Sequence, residues 1–258
     1  MSSRTLAPRA APPGTWVIAR SAAFNAAAGV WTLASVLVAA LCLLLPPGAI
    51  LSVSRVWMGG LQFLLRHLVG LDYEVRGLSN MPQGPAIYAF KHQSAWETVV
   101  IHLLLPNAAI ALKRELMQIP LFGWCLRRSG MIGINRAGRM RALRSLIGGA
   151  RAALARGASV VIFPEGHRIP PGRHVPYHPG VVALYLDLGR PVVPVAHNSG
   201  LFWSRRGFVK RPGRIVVQFL EPIEPGLDRK IFMAELRRRL EGAADRLIDE
   251  AGARAASD

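Results

Sequence analysis

The sequence predicts an α/β domain, a mixed and mostly parallel sheet of about seven strands flanked by helices, preceded by an N-terminal membrane helix or helical hairpin. Three observations carry this. No Asp or Glu occurs before Asp72, and no charge of either sign lies between Arg20 and Arg55. From Asp72 onward, short β-branched runs alternate with helical patterns. Of the 258 residues 51% are hydrophobic and only 18% charged, so a large core can be buried and disorder is excluded.

Residues 1–14, rich in Pro, Gly and Arg, read as a flexible tail. Residues 15–71 read as a membrane-anchoring helical segment. Within it, 21–45 is an uncharged stretch of 25 residues, enough to cross the roughly 30 Å of bilayer hydrocarbon as a helix. A cleaved signal peptide competes with this reading, but the run outlasts the usual roughly 7–15 residue apolar region and no small-residue cleavage site ends it. Pro46-Pro47-Gly48 breaks the helix. The apolar stretch that follows, 49–71, carries Arg55, Arg66 and His67, which suits an amphipathic interfacial helix or the return arm of a hairpin. Arginines on both sides give the positive-inside rule no preference, a balance that a same-side hairpin satisfies. Deleting residues 15–70 is expected to release the rest of the chain from the membrane.

Residues 72–251 read as the α/β domain and 252–258 as a second flexible tail. Strands are expected at 72–76, 86–90, 109–113, 131–134, 159–163, 192–195 and 215–220, and helices at 96–105, 121–127, 139–155, 181–188 and 228–251. The helix over 139–155 is expected to pack on the sheet through Met140, Leu143, Ile147, Ala150 and Leu154.

The formal net charge is +17, which favours anionic partners: phosphorylated substrates, acidic lipid headgroups, an acidic carrier protein or nucleic acid. Of the 32 basic residues 28 are Arg, an imbalance that genome composition explains as readily as phosphate recognition does. Phe202, Trp203 and Phe208 interleave with Arg205, Arg206, Lys210 and Arg211, a mixture that suits RNA or a loop dipping into anionic lipid. The apolar N-terminus and the lack of a nucleic-acid-binding motif favour lipid, so no nucleic-acid partner is expected. A basic, membrane-bound binding protein without catalysis stays open at this point. Cys42 and Cys125 lie in apolar stretches without metal spacing, so neither a disulfide framework nor a zinc site is expected.

Chemistry begins where strands end. After the run at 86–90 comes Lys91-His92-Gln93-Ser94-Ala95-Trp96-Glu97. Ser94 and Glu97 match a capping box, which puts His92 in a strand-to-helix turn. A carboxylate on one ring nitrogen fixes the tautomer and stabilises the imidazolium formed when the other takes a proton, so His92 and Glu97 suit a general-base dyad. From spacing alone, Glu97 as a mere helix-capping residue beside a turn histidine is the favoured reading. Three further polar clusters close strands: Asn135-Arg136, Phe163-Pro164-Glu165-Gly166-His167-Arg168, and His197-Asn198-Ser199 after Val-Pro-Val-Ala. His167, His174 and His178 have no nearby Cys and no His-Glu-x-x-His spacing, which argues against a metal. His67 and His102 read as packed residues, and His197 as structural or near the site. Cys125 has no paired His, which argues against an acyl-cysteine.

With these residues in order, the chain resembles the 1-acylglycerol-3-phosphate acyltransferase family of the glycerolipid acyltransferases. Four ordered blocks carry the resemblance: His92 to Glu97, the Gly-x-Ile-x-Arg-like block ending at Arg136, Phe163 to Gly166 with Arg168, and Val193 to Ala196. Glu97 stands where most members have Asp, His167 where Thr is usual, and His178 where a Lys is often seen. The resemblance implies acyl transfer from acyl-ACP or acyl-CoA to the sn-2 hydroxyl of lysophosphatidic acid, giving phosphatidic acid at the cytoplasmic membrane, with the catalytic domain facing the cytoplasm and in contact with anionic lipids. It implies His92 and Glu97 as the catalytic pair and a substrate-binding set of Arg136, Glu165, Gly166, Arg168 and Lys113. Arg136 and Arg168 would grip phosphate, Glu165 would anchor its turn or orient the acceptor, and Lys113 with Arg114 would help hold phosphate or stay solvated. No cofactor or metal is required. Another lyso-lipid or glycerol 3-phosphate as acceptor would leave the same blocks unchanged.

Overall fold

The computed structural model describes residues 13–135, 138–205 and 207–255. Helix α1 (Thr15–Leu41) ends in a tight turn over Cys42–Leu44, and Pro46, which cannot continue a helix, lets α2 (Pro47–Leu64) return antiparallel to it. Polar links fix the pair at several levels. Arg20 Nε donates to the Leu68 carbonyl at 2.6 Å, the Trp31 indole to the Trp57 carbonyl at 2.9 Å, and the Trp57 indole to Thr32 Oγ1 at 3.0 Å. The second apolar stretch is therefore the return arm of a hairpin. Both arms are long and apolar enough to cross a membrane by length and composition, and Leu33, Leu37, Leu41, Leu44, Val56 and Phe63 form an exposed apolar face.

The other face of the hairpin belongs to the domain. Phe24, Leu65 and Val69 are buried in the main core with Tyr88, Phe90 and Trp96, each worth about 1.5–3 kcal/mol. At the tip, Arg128 Nη2 donates to the Leu45 carbonyl at 2.8 Å. Deleting residues 15–70 would thus open the core as well as remove the apolar hairpin.

Seven strands follow in one sheet: β1 (Leu71–Arg76), β2 (Ile87–Phe90), β3 (Ala108–Lys113), β4 (Ile132–Ile134), β5 (Ser159–Ile162), β6 (Val192–His197) and β7 (Gly213–Phe219). Their spatial order is β1-β7-β6-β2-β5-β3-β4. β4, β3, β5, β2 and β6 run parallel, while β7 is antiparallel to β6 and carries β1 parallel to itself. The central strands are buried on both faces, which is why Ile87–Phe90 and Val192–Val195 read as unbroken apolar runs. Helices α3 (Ile101–Leu104) and α4 (Phe122–Arg128) lie on the hairpin side, whereas α5 (Arg139–Ala155), α6 (Gly180–Leu188) and α7 (Arg229–Ala255) back the sheet.

Two helices differ from expectation. The segment over 96–105 is a tight-turned stretch Trp96–Val99 followed by the short α3, broken at Val100 with φ −129°. In α5 the buried stripe is Leu146, Ala150 and Ala153, with Ile147 and Leu154 packed beside it, while Met140 is exposed. Small residues let this helix sit close: a Cβ on Gly149 would come within 2.7 Å of the Ile132 side chain. His67 is likewise exposed on its helix, its ring against Phe63 rather than in the core.

Candidate active site

The chain leaves β2 for β3 and β4 on one side, returns to place β5 between β2 and β3, and then sets β6 on the other flank of β2. The carboxyl end of β2 is thus a topological switch point, the usual place for a ligand crevice in such sheets. His92 stands there, with the loops after β5 and β6 on either side.

The histidine is held on several sides. His92 Nδ1 lies 2.8 Å from Glu97 Oε1, and Phe163 stacks on the ring at 4.2 Å between centroids. A carboxylate only accepts, so Nδ1 carries the proton and Nε2 presents a lone pair. Backbone contacts fix the turn: the His92 N–H donates to Glu165 Oε2 at 2.7 Å, and the Ile169 N–H donates to the His92 carbonyl at 2.7 Å.

Glu97 is fully buried yet saturated with donors. Oε1 accepts from the Gln93 and Ser94 N–H groups at 2.8 and 2.9 Å, and Oε2 from Ser94 Oγ at 3.0 Å and Ser199 Oγ at 3.1 Å. Burial pushes the carboxyl pKa upward, but the His92 hydrogen bond, the neighbouring imidazoles and the backbone donors outweigh it and hold the group at about 2. The two readings of Glu97 therefore coexist. The same carboxylate that caps Ser94 also holds the His92 ring.

Behind it stands His197, whose pKa burial lowers. Its Nε2 faces the Lys91 carbonyl at 2.7 Å and must be the donor, so Nδ1 accepts from Ser199, whose N–H is 3.4 Å away. The Ser199 hydroxyl lies 3.1 Å from His197 Nδ1, from Ser94 Oγ and from Glu97 Oε2, so it joins the imidazole to the carboxylate.

A second buried network reaches the site from below. Lys91 Nζ lies 2.6 Å from both Glu165 Oε1 and Glu241 Oε2, and the Tyr177 hydroxyl donates to Glu241 Oε1 at 2.7 Å. Burial raises the Glu165 pKa despite Lys91. Both oxygens of this fully buried carboxylate are taken by the chain's own donors, which favours the anchoring role for Glu165 over contact with an acceptor. A Lys91→Met variant would leave two buried carboxylates facing each other without their cation. It is expected to lose about 3–5 kcal/mol of stability, read as a fall in the thermal midpoint, with part of the loss recovered in Lys91→Met/Glu241→Gln.

The remaining expected site residues divide. Gly166 holds φ +68°, and a Cβ there would meet the His178 ring at 2.5 Å, so the turn needs glycine. Arg168 lies one residue from the backbone partner of His92, and its Nη1 donates to the Arg205 carbonyl at 3.4 Å. Lys113 is not brought to the dyad: it is exposed at the end of β3, two strands from β2, and pairs with Glu115 at 3.4 Å. Arg136 lies outside the described residues. Lys91, Ser94, Ser199, Tyr177 and Glu241 were not singled out for the site from sequence. Two of the five carried a signal: Lys91 closes a wholly apolar strand, and Glu241 holds a position facing the core among Leu236, Leu240 and Leu247.

Beside the dyad, an apolar groove of about 590 Å³ runs between the hairpin arms. Ala28, Val36 and Leu61 line its sides, while Ala95 and Val99 bring it to the turn that bears Glu97. At its end, Lys210 is buried against the rings of Phe24 and Trp203, and desolvation lowers its pKa to about 8.

A family model described as Acyltransferase matches residues 72–198. The 1-acyl-sn-glycerol-3-phosphate acyltransferase of Pseudomonas aeruginosa is 40% identical over 179 residues, which cover 69% of this chain and 70% of that protein. The protein of the same name from Cocos nucifera is 30% identical over 163 residues, 62% of this chain and 53% of its own length. Among solved structures, the 1-acyl-sn-glycerophosphate (LPA) acyltransferase PlsC from Thermotoga maritima superposes with a TM-score of 0.70 over 90% of this chain and 97% of its own, at 20% identity. At that identity the likeness bears on the fold.

Proposed function

Since the chain belongs to the acyltransferase family, we propose that it transfers a fatty acyl group from a thioester, acyl-ACP or acyl-CoA, to the sn-2 hydroxyl of 1-acyl-sn-glycerol 3-phosphate, forming phosphatidic acid. One observation carries the reading: a half-sheltered histidine whose Nδ1 is held by a buried, ionised carboxylate, at a strand switch point beside an apolar groove. The acceptor hydroxyl is a poor nucleophile until its proton is taken. His92 Nε2 takes it as the oxygen attacks the thioester carbonyl, and Glu97 stabilises the imidazolium. When the carbon–sulfur bond breaks, the imidazolium returns the proton to the leaving thiolate. The groove supplies a dry path for an alkyl chain, and the exposed apolar face of the hairpin suits one leaflet, with the domain on the cytoplasmic side where acyl donors are found.

Arg168 and Arg136 are assigned to the acceptor phosphate, whose two charges call for planar donors. Incubation of the purified protein in detergent with labelled acyl donor and lysophosphatidic acid, glycerol 3-phosphate or a neutral lysophospholipid tests the whole reading. Phosphatidic acid is the expected product, and failure of every acceptor with both donor types would overturn the reading. In the same assay Arg168→Ala should raise the acceptor KM while the donor KM moves little, with Arg168→Lys recovering only part of the loss. Unchanged acceptor kinetics in Arg168→Ala would remove that residue from the phosphate site.

A further inference from the structure

We infer that the arginine cleft between α4, β4 and α5 is the docking face for an acidic carrier protein that presents the acyl thioester on a phosphopantetheine arm. This inference rests on the acyl-transfer reading and settles on one of its two donors. Arg114, Arg127 and Arg141, with Asn135 and Ser145, line a cleft of about 310 Å³. Between Glu115 and Glu165 the sequence holds eight arginines and no acid. Some arginines outside this segment are paired with carboxylates, as Arg76 is with Glu250, Arg214 with Glu74, and Arg238 and Arg239 with Glu235. In this segment Arg151 alone has a carboxylate partner among the described residues, Asp187 at 2.6 Å. Arg127 and Arg128 are instead braced by the carbonyls of Met117 and Leu45, which hold the guanidinium groups in place and leave their charge uncompensated. Arg141 and Arg144 extend the same charge along the exposed side of α5.

Position fits a ligand delivered on a long arm. The cleft opens at the carboxyl edge of the parallel strands, the edge that bears His92, and β4 stands three strands from β2. At strand spacing this is about 14 Å, within the length of a pantetheine arm. The charged area also exceeds one phosphate: the cleft suits the phosphodiester of the arm, and the arginines around it suit a surface of carboxylates.

The test uses the full-length protein in detergent micelles with one acceptor and two donors, palmitoyl-loaded carrier protein and palmitoyl-CoA. Arg144→Glu, at an exposed arginine of α5 outside the cleft lining, should lower kcat/KM with the carrier donor severalfold or more while leaving the CoA reaction near the parent value, and the parent's carrier reaction should weaken steeply with salt. Binding of fluorescently labelled carrier, followed by anisotropy, should be lost in the same variant. Equal losses with both donors, or no loss with either, would overturn the docking face. Should the parent transfer from neither donor, the acyl-transfer reading fails, and the anisotropy measurement still decides whether the face holds the carrier.

Discussion

His92→Ala is expected to lose about 10²–10⁴-fold in kcat, or roughly 3–5 kcal/mol of transition-state stabilisation, without losing the fold. Phe163 stacks on the ring, and among the described residues its one polar side-chain contact is to Glu97, which keeps its backbone and serine donors when the imidazole is gone. Single-turnover acyl transfer beside a thermal melt separates chemistry from folding. An alanine enzyme within threefold of the parent would remove His92 as the base.

Glu97→Gln should cost as much as removing the histidine while the protein remains folded. The amide oxygen can still accept from the Gln93 and Ser94 N–H groups at the Oε1 position, and the Ser94 and Ser199 hydroxyls can turn to accept from the amide nitrogen. What disappears is the negative charge opposite Nδ1, and with it the stabilisation of the imidazolium, a loss of about 10²–10⁴-fold. Glu97→Asp keeps the charge and should retain part or all of the activity. A second readout follows from linkage. A carboxylate held at about 2 in the folded chain, below its ordinary value of 4.5, adds stability that is present above that ordinary value and is lost as pH falls toward the folded value. The glutamine variant should lack this acid-side loss, so thermal midpoints of the two proteins should converge between pH 4.5 and about 2. A Glu97→Gln enzyme as fast as the parent would dissolve the dyad.

Much of this site could be read before the structure. Period-two and continuous apolar runs located all seven strands, because a sheet covered on both faces leaves little freedom in residue type. The dyad was visible as a spacing, but spacing could not say whether Glu97 served the cap or the histidine. Only the turn geometry shows one carboxylate reaching both. Of the two readings left open for Lys113, the exposed position at the end of β3 matches the solvated one; every parallel strand ends on the same edge, and sequence order hides how far along that edge each one stands. Met140 was misassigned because the periodic pattern ran on to the helix terminus, where no sheet remains to cover it. Lys91, Glu165 and Glu241 meet from three elements far apart in the chain, and no local pattern carries that information.

The position of Glu241 has a consequence for the order in which the protein becomes competent. It follows Lys91 by 150 residues, a gap the ribosome takes about 8–30 s to fill at about 5–20 residues per second. During that interval the hairpin has already been made, while the lysine beside His92 has yet to receive its distal carboxylate. Until α7 is made, the lysine beside His92 therefore has only Glu165 as its carboxylate partner, and the last helix completes the buried network behind the turn.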